Sequence, residues 1–283
     1  MTKPVKIGMI QLRGAGDCLI ALPIAKWLHN KGMEVYWAID HKFYEAFKYA
    51  APYVNFISVS VDEKTIQSNI RNPYWFETPR QMLLDAGCDE VISFPYEETL
   101  HYEKIGLDSR LIDPVAIRAK ELRLAFCNTF DQFKYAVCNV PFKEKWNVDI
   151  RRNLPREEDL FNKVVKQKSK PYVITHLEGA MGRIVYNIDV PAFLKSIGME
   201  KYNIIPITAM TDNVFDWTTI LERSQMFIGI DSFYVNLIDQ LQINIPMKFF
   251  LRRSPTNFTP VLNANWDYLP IDLASDHPHE LKF

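Results

Sequence analysis

QLRGAGDCLIALPIAKWL, residues 11–28, is the stretch from which the rest of the chain is best read. Ahead of it, Val5–Ile10 is a short apolar run of the kind that forms a buried parallel strand. Gly14 and Gly16 mark a turn, after which Leu19, Ile20, Leu22, Ile24, Trp27 and Leu28 recur with helical period. Strand, tight loop and helix in that order put Asp17 at a helix N-terminus, the place where open α/β sheets hold their ligands. Two roles stay open for its carboxylate: a group facing a ligand, or an N-cap that accepts the orphan N–H groups of the first turn.

Around this stretch, 283 residues are enough for two domains of ordinary size, and 48% hydrophobic with 24% charged residues is a soluble globular mix. No run reaches 18 apolar residues, and the apolar segment at the N-terminus is too short for a signal peptide, so a cytoplasmic protein is expected. Cys18, Cys88, Cys127 and Cys138 are scattered, without metal-ligand spacing, and are expected to be reduced, mostly buried thiols. The net charge is −1, yet Lys143–Lys170 holds nine basic residues against five acidic ones. Such a run is ordinarily a solvated linker and helix face.

Strand and helix signals alternate in the first half. Glu34–Ile39, Phe56–Val61 and Asp89–Phe94 read as strands, and His41–Tyr49 and Pro114–Phe126 as helices. Asp62–Pro79, polar and aromatic, reads as an excursion from the sheet. Val140–Pro155, with two prolines and a basic cluster, reads as a linker. A second series follows, with helices over Glu157–Lys166, Val190–Ile197, Asn213–Arg223 and Ser232–Leu241. Its strands are Tyr172–Thr175, Asn203–Ile207, Met226–Ile230 and Pro246–Leu251. Repeated β–α units of this kind predict an α/β protein with doubly wound parallel sheets. We divide it into domains at 1–145 and 146–283, with a tail, 266–283, that could pack back on the first.

Leu12, Gly16, Asp17, Leu19, Leu22 and Pro23 fall in the order and spacing of the first loop and helix of the bacterial heptosyltransferases, a family this chain resembles. A proline inside a helical pattern is costly, which sharpens the match. Gln11 stands where the family has arginine. A second block, Thr219–Phe249, resembles the family's later V-D-T-G and histidine motif: Ile230, Asp231 and Ser232 match, Phe233 replaces the glycine and Asn236 the histidine. Between them, Thr175, Glu178, Gly179 and Gly182 resemble the family's phosphate-proximal turn, with Arg183 in the place of its lysine. An arginine suits that place because its fork binds phosphate oxygens bidentately. His176 reads as a structural donor near a strand end.

The resemblance implies a GT-B fold, two Rossmann-like domains facing across a cleft, and an inverting, metal-independent glycosyltransferase without a cofactor. In it Asp17 is the catalytic base, and Gly14, Ala15 and Gly16 are the first-loop backbone. Thr175, Glu178, Gly179, Arg183, Asp231, Ser232 and Asn236 would bind a nucleotide-diphosphate-sugar. The acceptor it implies is a surface glycan of the lipopolysaccharide type. Two alternatives remain at this stage. The substitutions at Gln11, Phe233 and Asn236 would suit a degenerate, non-catalytic nucleotide-sugar-binding module. Lys143–Lys170, Arg252–Arg253 and Tyr74–Trp75–Phe76 would suit a phage-type enzyme that glycosylates a hydroxylated base in DNA. A nicotinamide-dependent Rossmann enzyme is excluded because no G-x-G-x-x-G joins a strand to a helix.

Overall fold

The computed structural model describes residues 3–60, 76–94, 129–166, 169–179, 188–251, 260–263 and 265–269. Two parallel sheets carry the chain. The first takes β1 (Lys6–Ile10), β2 (Glu34–Asp40), β3 (Asn55–Val59) and β4 (Glu90–Ser93) in the order β3-β2-β1-β4. Its helices are α1 (Ala15–Asn30), α2 (His41–Ala50), α3 (Glu77–Asp85) and α4 (Phe130–Val137). After a 3₁₀ turn, Phe142–Trp146, comes α5 (Leu154–Val164). The second sheet holds β5 (Tyr172–His176), β6 (Asn203–Pro206), β7 (Met226–Ile230), β8 (Met247–Leu251) and β9 (Asp267–Tyr268), ordered β6-β5-β7-β8-β9. Its helices are α6 (Val190–Ser196), α7 (Thr218–Glu222) and α8 (Phe233–Gln240).

In both sheets the first strand lies between neighbours reached in opposite directions. Strand β1 pairs with β2 and β4, and β5 pairs with β6 and β7, all parallel. A crevice therefore opens beyond the C-terminal ends of β1 and β4, and another beyond β5 and β7. The loops that follow β1, β5 and β7 are those in which the sequence places the candidate site.

Several expectations are refined. The helix expected over Asn213–Arg223 divides into a 3₁₀ turn, Val214–Trp217, and the short α7. Asn213 causes the tight start by accepting from the Phe215 amide at 3.0 Å, while Thr218 Oγ1 donates to the Phe215 carbonyl at 2.6 Å. Part of the expected excursion is helical, since α3 begins at Glu77. The helix over 114–126 and residues 270–283 of the tail lie outside the described residues. Of the tail, the described residues Trp266, Asp267 and Tyr268 lie on the second half, against Asp239 and β8, while Val261 ahead of it donates its amide to Asp131 Oδ2 on α4 at 3.0 Å.

One buried cluster joins the two sheets. It runs from Met9, Leu22 and Trp37 in the first half to Ile174, Phe227 and Leu237 in the second. Aromatic rings bridge the halves, with Phe47 of α2 5.2 Å from Phe215, and Phe215 5.3 Å from Phe233 of α8. Near the same junction, Lys145 and Asp131 form an ion pair at 2.7 Å with both side chains fully buried. The ammonium also donates to the Val261 carbonyl.

Four cations of the basic segment are paired with acids of the fold. Besides Lys145, Arg152 bonds Glu157 and Glu222, Arg156 bonds Asp212 and Asp216, and Lys163 pairs with Asp159. Arg151 lies over the Tyr49 ring at 4.0 Å and donates to the Tyr49 carbonyl. These side chains fasten the linker and α5 to their surroundings and do not form an open row of phosphate-binding cations. Arg252–Arg253 and Tyr74–Trp75 lie outside the described residues.

Candidate active site

The helix of the first loop starts earlier than the sequence suggested. Gly14 is the N-cap of α1, with φ 73°, and Ala15 and Gly16 already belong to the first turn. Asp17 is therefore inside that turn and is not the cap. Its acidic side chain there favours the positive end of the helix. Oδ2 folds over Gly14 so closely that a Cβ on Gly14 would lie 2.4 Å from it. Oδ1 lies 3.3 Å from Lys134 Nζ. The Asp17 side chain keeps 39% of its surface exposed, whereas that of Lys134 keeps 3%.

Lys134 comes from α4, an element the sequence reading did not identify. Tyr135, the next residue, docks the helix by donating its hydroxyl to the Ile20 carbonyl at 2.9 Å, in the turn of α1 ahead of Pro23. That contact brings Lys134 to the loop after β1. Its ammonium donates to Gln11 Oε1 at 2.7 Å and stands over the rings of Phe94 and Phe130. Gln11 is held in turn, with Nε2 donating to the Arg13 carbonyl at 2.8 Å and its own carbonyl accepting from the Trp37 indole. The residue that departs from the family's arginine is thus the acceptor for a buried lysine.

In the second half, β7 ends at Ile230, and buried Asp231 leads into Ser232, the N-cap of α8. Ser232 has extended backbone, and its side chain makes no capping bond. Its hydroxyl is instead 3.0 Å from His176 Nδ1 at the end of β5, and the His176 ring packs edgewise on Tyr234 at 4.9 Å. Asn236 donates through Nδ2 to the Ser232 carbonyl at 2.9 Å, while its buried Oδ1 has no hydrogen-bond partner among the described residues. Phe233, in the place of the family's glycine, turns its ring into the junction between the halves, where Phe215 receives it. Thr175 is buried within β5, and exposed Glu178 and half-buried Gly179 come shortly after it. Gly182 and Arg183 lie outside the described residues.

The two blocks meet although they lie at opposite ends of the sequence. A Cβ on Gly16 would be 3.3 Å from the Phe233 amide nitrogen and 3.5 Å from the Ser232 carbonyl carbon. A side chain on residue 16 would press on the backbone at the start of α8, so glycine suits this close approach. The N-termini of two helices, both carrying partial positive charge, converge beside one carboxylate and one buried ammonium. Such a place suits an anionic ligand, with a carboxylate available to take a proton. Among the described residues, no group of three or more His, Cys, Asp or Glu side chains is placed to hold a metal ion. Nor is any described helix long and apolar enough to cross a membrane.

No protein-family model matches the chain, and no curated protein matches its sequence. Its structure is similar to that of a glycosyl transferase family 9 protein from Veillonella parvula DSM 2008. The identity is 13%, the match covers 95% of this chain and 88% of that one, and the TM-score is 0.57. It is also similar to E. coli ADP-heptose lps heptosyltransferase II, at 9% identity, 94% and 90% coverage and a TM-score of 0.53. At such identities the likeness is one of fold, and that fold is the GT-B type of the heptosyltransferase-like glycosyltransferases.

Proposed function

We propose that the chain is an inverting glycosyltransferase that moves a sugar from a nucleoside-diphosphate-sugar to a hydroxyl group, without a metal ion. The observation that carries this reading is the contact of Gly16 with Ser232 and Phe233, which sets Asp17 beside the start of α8. The donor's diphosphate would lie at the N-terminus of α8, met by backbone N–H groups and by the Ser232 hydroxyl. Asp231, Asn236, Thr175 and the Glu178–Gly179 turn would line the donor, with Arg183 as its cation. Asp17 would accept the acceptor's proton as that oxygen forms its bond to the anomeric carbon. The bond to the diphosphate breaks on the opposite face, and the electron pair leaves with the nucleoside diphosphate. Charge growing on that leaving group is stabilised by the positive helix end.

For the acceptor, we propose a glycan hydroxyl of the lipopolysaccharide-core type, the substrate class for which the second structural neighbour is named. The DNA reading loses part of its support, since Lys145, Arg152, Arg156 and Lys163 of the basic segment are paired internally. A panel of ADP-, UDP- and GDP-sugars tests the donor, because a sugar-nucleotide at 100 times its Kd should stabilise the fold by about 2.7 kcal/mol. With the donor found, Asp17→Asn should retain its affinity and lose about 10²-fold or more in turnover. Wild-type turnover in that variant would refute the assignment of the base.

A further inference from the structure

Lys134 is the buried charge that the proposed reaction leaves unassigned. Its side chain is 3% exposed, and a lysine is almost never so buried without partners that justify it. Those partners are Gln11 Oε1 at 2.7 Å, Asp17 Oδ1 at 3.3 Å, and the faces of Phe94 and Phe130. The contacts divide the carboxylate of Asp17. Oδ1 belongs to the ammonium, and Oδ2 lies over Gly14, with no cation paired to it among the described residues. We propose that Lys134 is a positioning residue for Asp17. It clamps Oδ1 so that Oδ2 is the oxygen offered to the acceptor, and Gln11 keeps it on that line. The positive charge that an arginine at position 11 would bring from the loop comes here from α4. The role in transfer rests on the reading of Asp17 as the base; the clamp itself does not.

The geometry supports this over a purely structural salt bridge. An ammonium has three donors on a flexible stem, so without Gln11 it could turn to either oxygen of Asp17. The bond to Gln11 Oε1 and the flanking rings remove that freedom. Asp17 lies on the third residue of a helix whose cap has φ 73°, and Gly14 lets Oδ2 fold back where any side chain would stop it. Two features from different parts of the chain thus orient one carboxylate. Orientation of this kind is worth most when a proton leaves a hydroxyl as a bond forms, because small misplacements are costly at that step.

The test uses Lys134→Met, Lys134→Arg and the swapped pair Gln11→Arg/Lys134→Gln, each alone and with Asp17→Asn. The first readout is urea unfolding of the full chain and needs no substrate. A clamp predicts that Asp17→Asn changes stability clearly less in the Lys134→Met background than in wild type, and strictly additive effects would overturn it. The second readout is turnover. Lys134→Met should lower kcat at least 10-fold while affinity for ADP or UDP, whichever the wild type binds, stays within about 2-fold. Lys134→Arg and the swapped pair should both recover most of that loss. In the Asp17→Asn background, Lys134→Met should have little further effect. A swapped pair as slow as Lys134→Met, or an equal further loss without the Asp17 carboxylate, would overturn the positioning role. Should wild type transfer no sugar from any donor tried, the glycosyltransferase reading fails, and the unfolding cycle still decides the clamp. If Lys134→Met does not fold, the swapped pair keeps a cation at Oδ1 and carries the same comparison.

Discussion

Gly14→Ala should separate the position of Asp17 from its charge. The native φ of 73° is one that an L side chain adopts only with strain, so the backbone alone should lose about 1–2 kcal/mol of stability. The added methyl carbon would also stand 2.4 Å from Asp17 Oδ2. Ordinary contact begins about 1 Å further out, so the carboxylate must swing away by roughly that amount. Swinging is easy for the end of a side chain, and the clash should therefore add little to the loss of stability. It should act on the reaction instead. A displacement of about 1 Å at a reacting group can cost about 10²-fold in rate, or about 2.7 kcal/mol in the barrier. Urea unfolding would measure the first effect, and single-turnover transfer at saturating donor the second. In Gly14→Ala/Asp17→Asn the loss of stability should persist while the further loss of rate disappears. Full activity in a folded Gly14→Ala variant would refute the placement of Asp17 Oδ2, the role of Asp17, or both.

Other consequences are more easily stated. Phe233→Gly, which restores the family's residue, should cost about 3–5 kcal/mol because the ring is buried against Phe215; a loss below about 1 kcal/mol in urea unfolding would contradict that packing. Lys145→Met should cost about 3–5 kcal/mol by leaving buried Asp131 unpaired, and Lys145→Met/Asp131→Leu should recover part of it; unfolding midpoints would show whether it does. Burial pushes the Cys18 thiol well above its ordinary range, so its peptide should stay unalkylated by iodoacetamide at pH 8 in the native protein. Labelling of Cys18 at the rate of the denatured chain would show that the loop after β1 is open.

Local pattern made the scaffold readable and left the electrostatics of the site hidden. The unit β1–loop–α1 shows in sequence because an apolar run, a glycine and a helical period are all short-range signals. Asp231 and Ser232 are singled out by the resemblance to the family's motif, and the strand-to-helix turn that carries them is again a short-range signal. Lys134 had no such signal: a lysine in FDQFKYAV looks like the solvated face of a helix. Its burial comes from α1, from Phe94 after β4 and from Gln11, all distant in sequence. A hint was present, because Phe130, Phe133 and Tyr135 leave that helix no continuous polar side. The basic run failed in the opposite way. Charge counted along Lys143–Lys170 looks positive, while the acids that neutralise it include Asp131, Asp212, Asp216 and Glu222 from elsewhere.

The ring contacts from Phe47 through Phe215 to Phe233 bear on how this chain could be re-engineered. Recombining donor and acceptor halves from different glycosyltransferases presumes that each half is a module with its own finished surface. Here the residue that opens α8 packs on Phe215, the ring that meets Phe47 of the other half, and Gly16 lies against the backbone beside it. A hybrid that joined residues 1–145 to a foreign donor half would expose Phe47 and lose the seat of α1. Such a hybrid would need Phe215, Phe233 and the start of α8 carried across with the first half before its substrate specificity could be asked about at all.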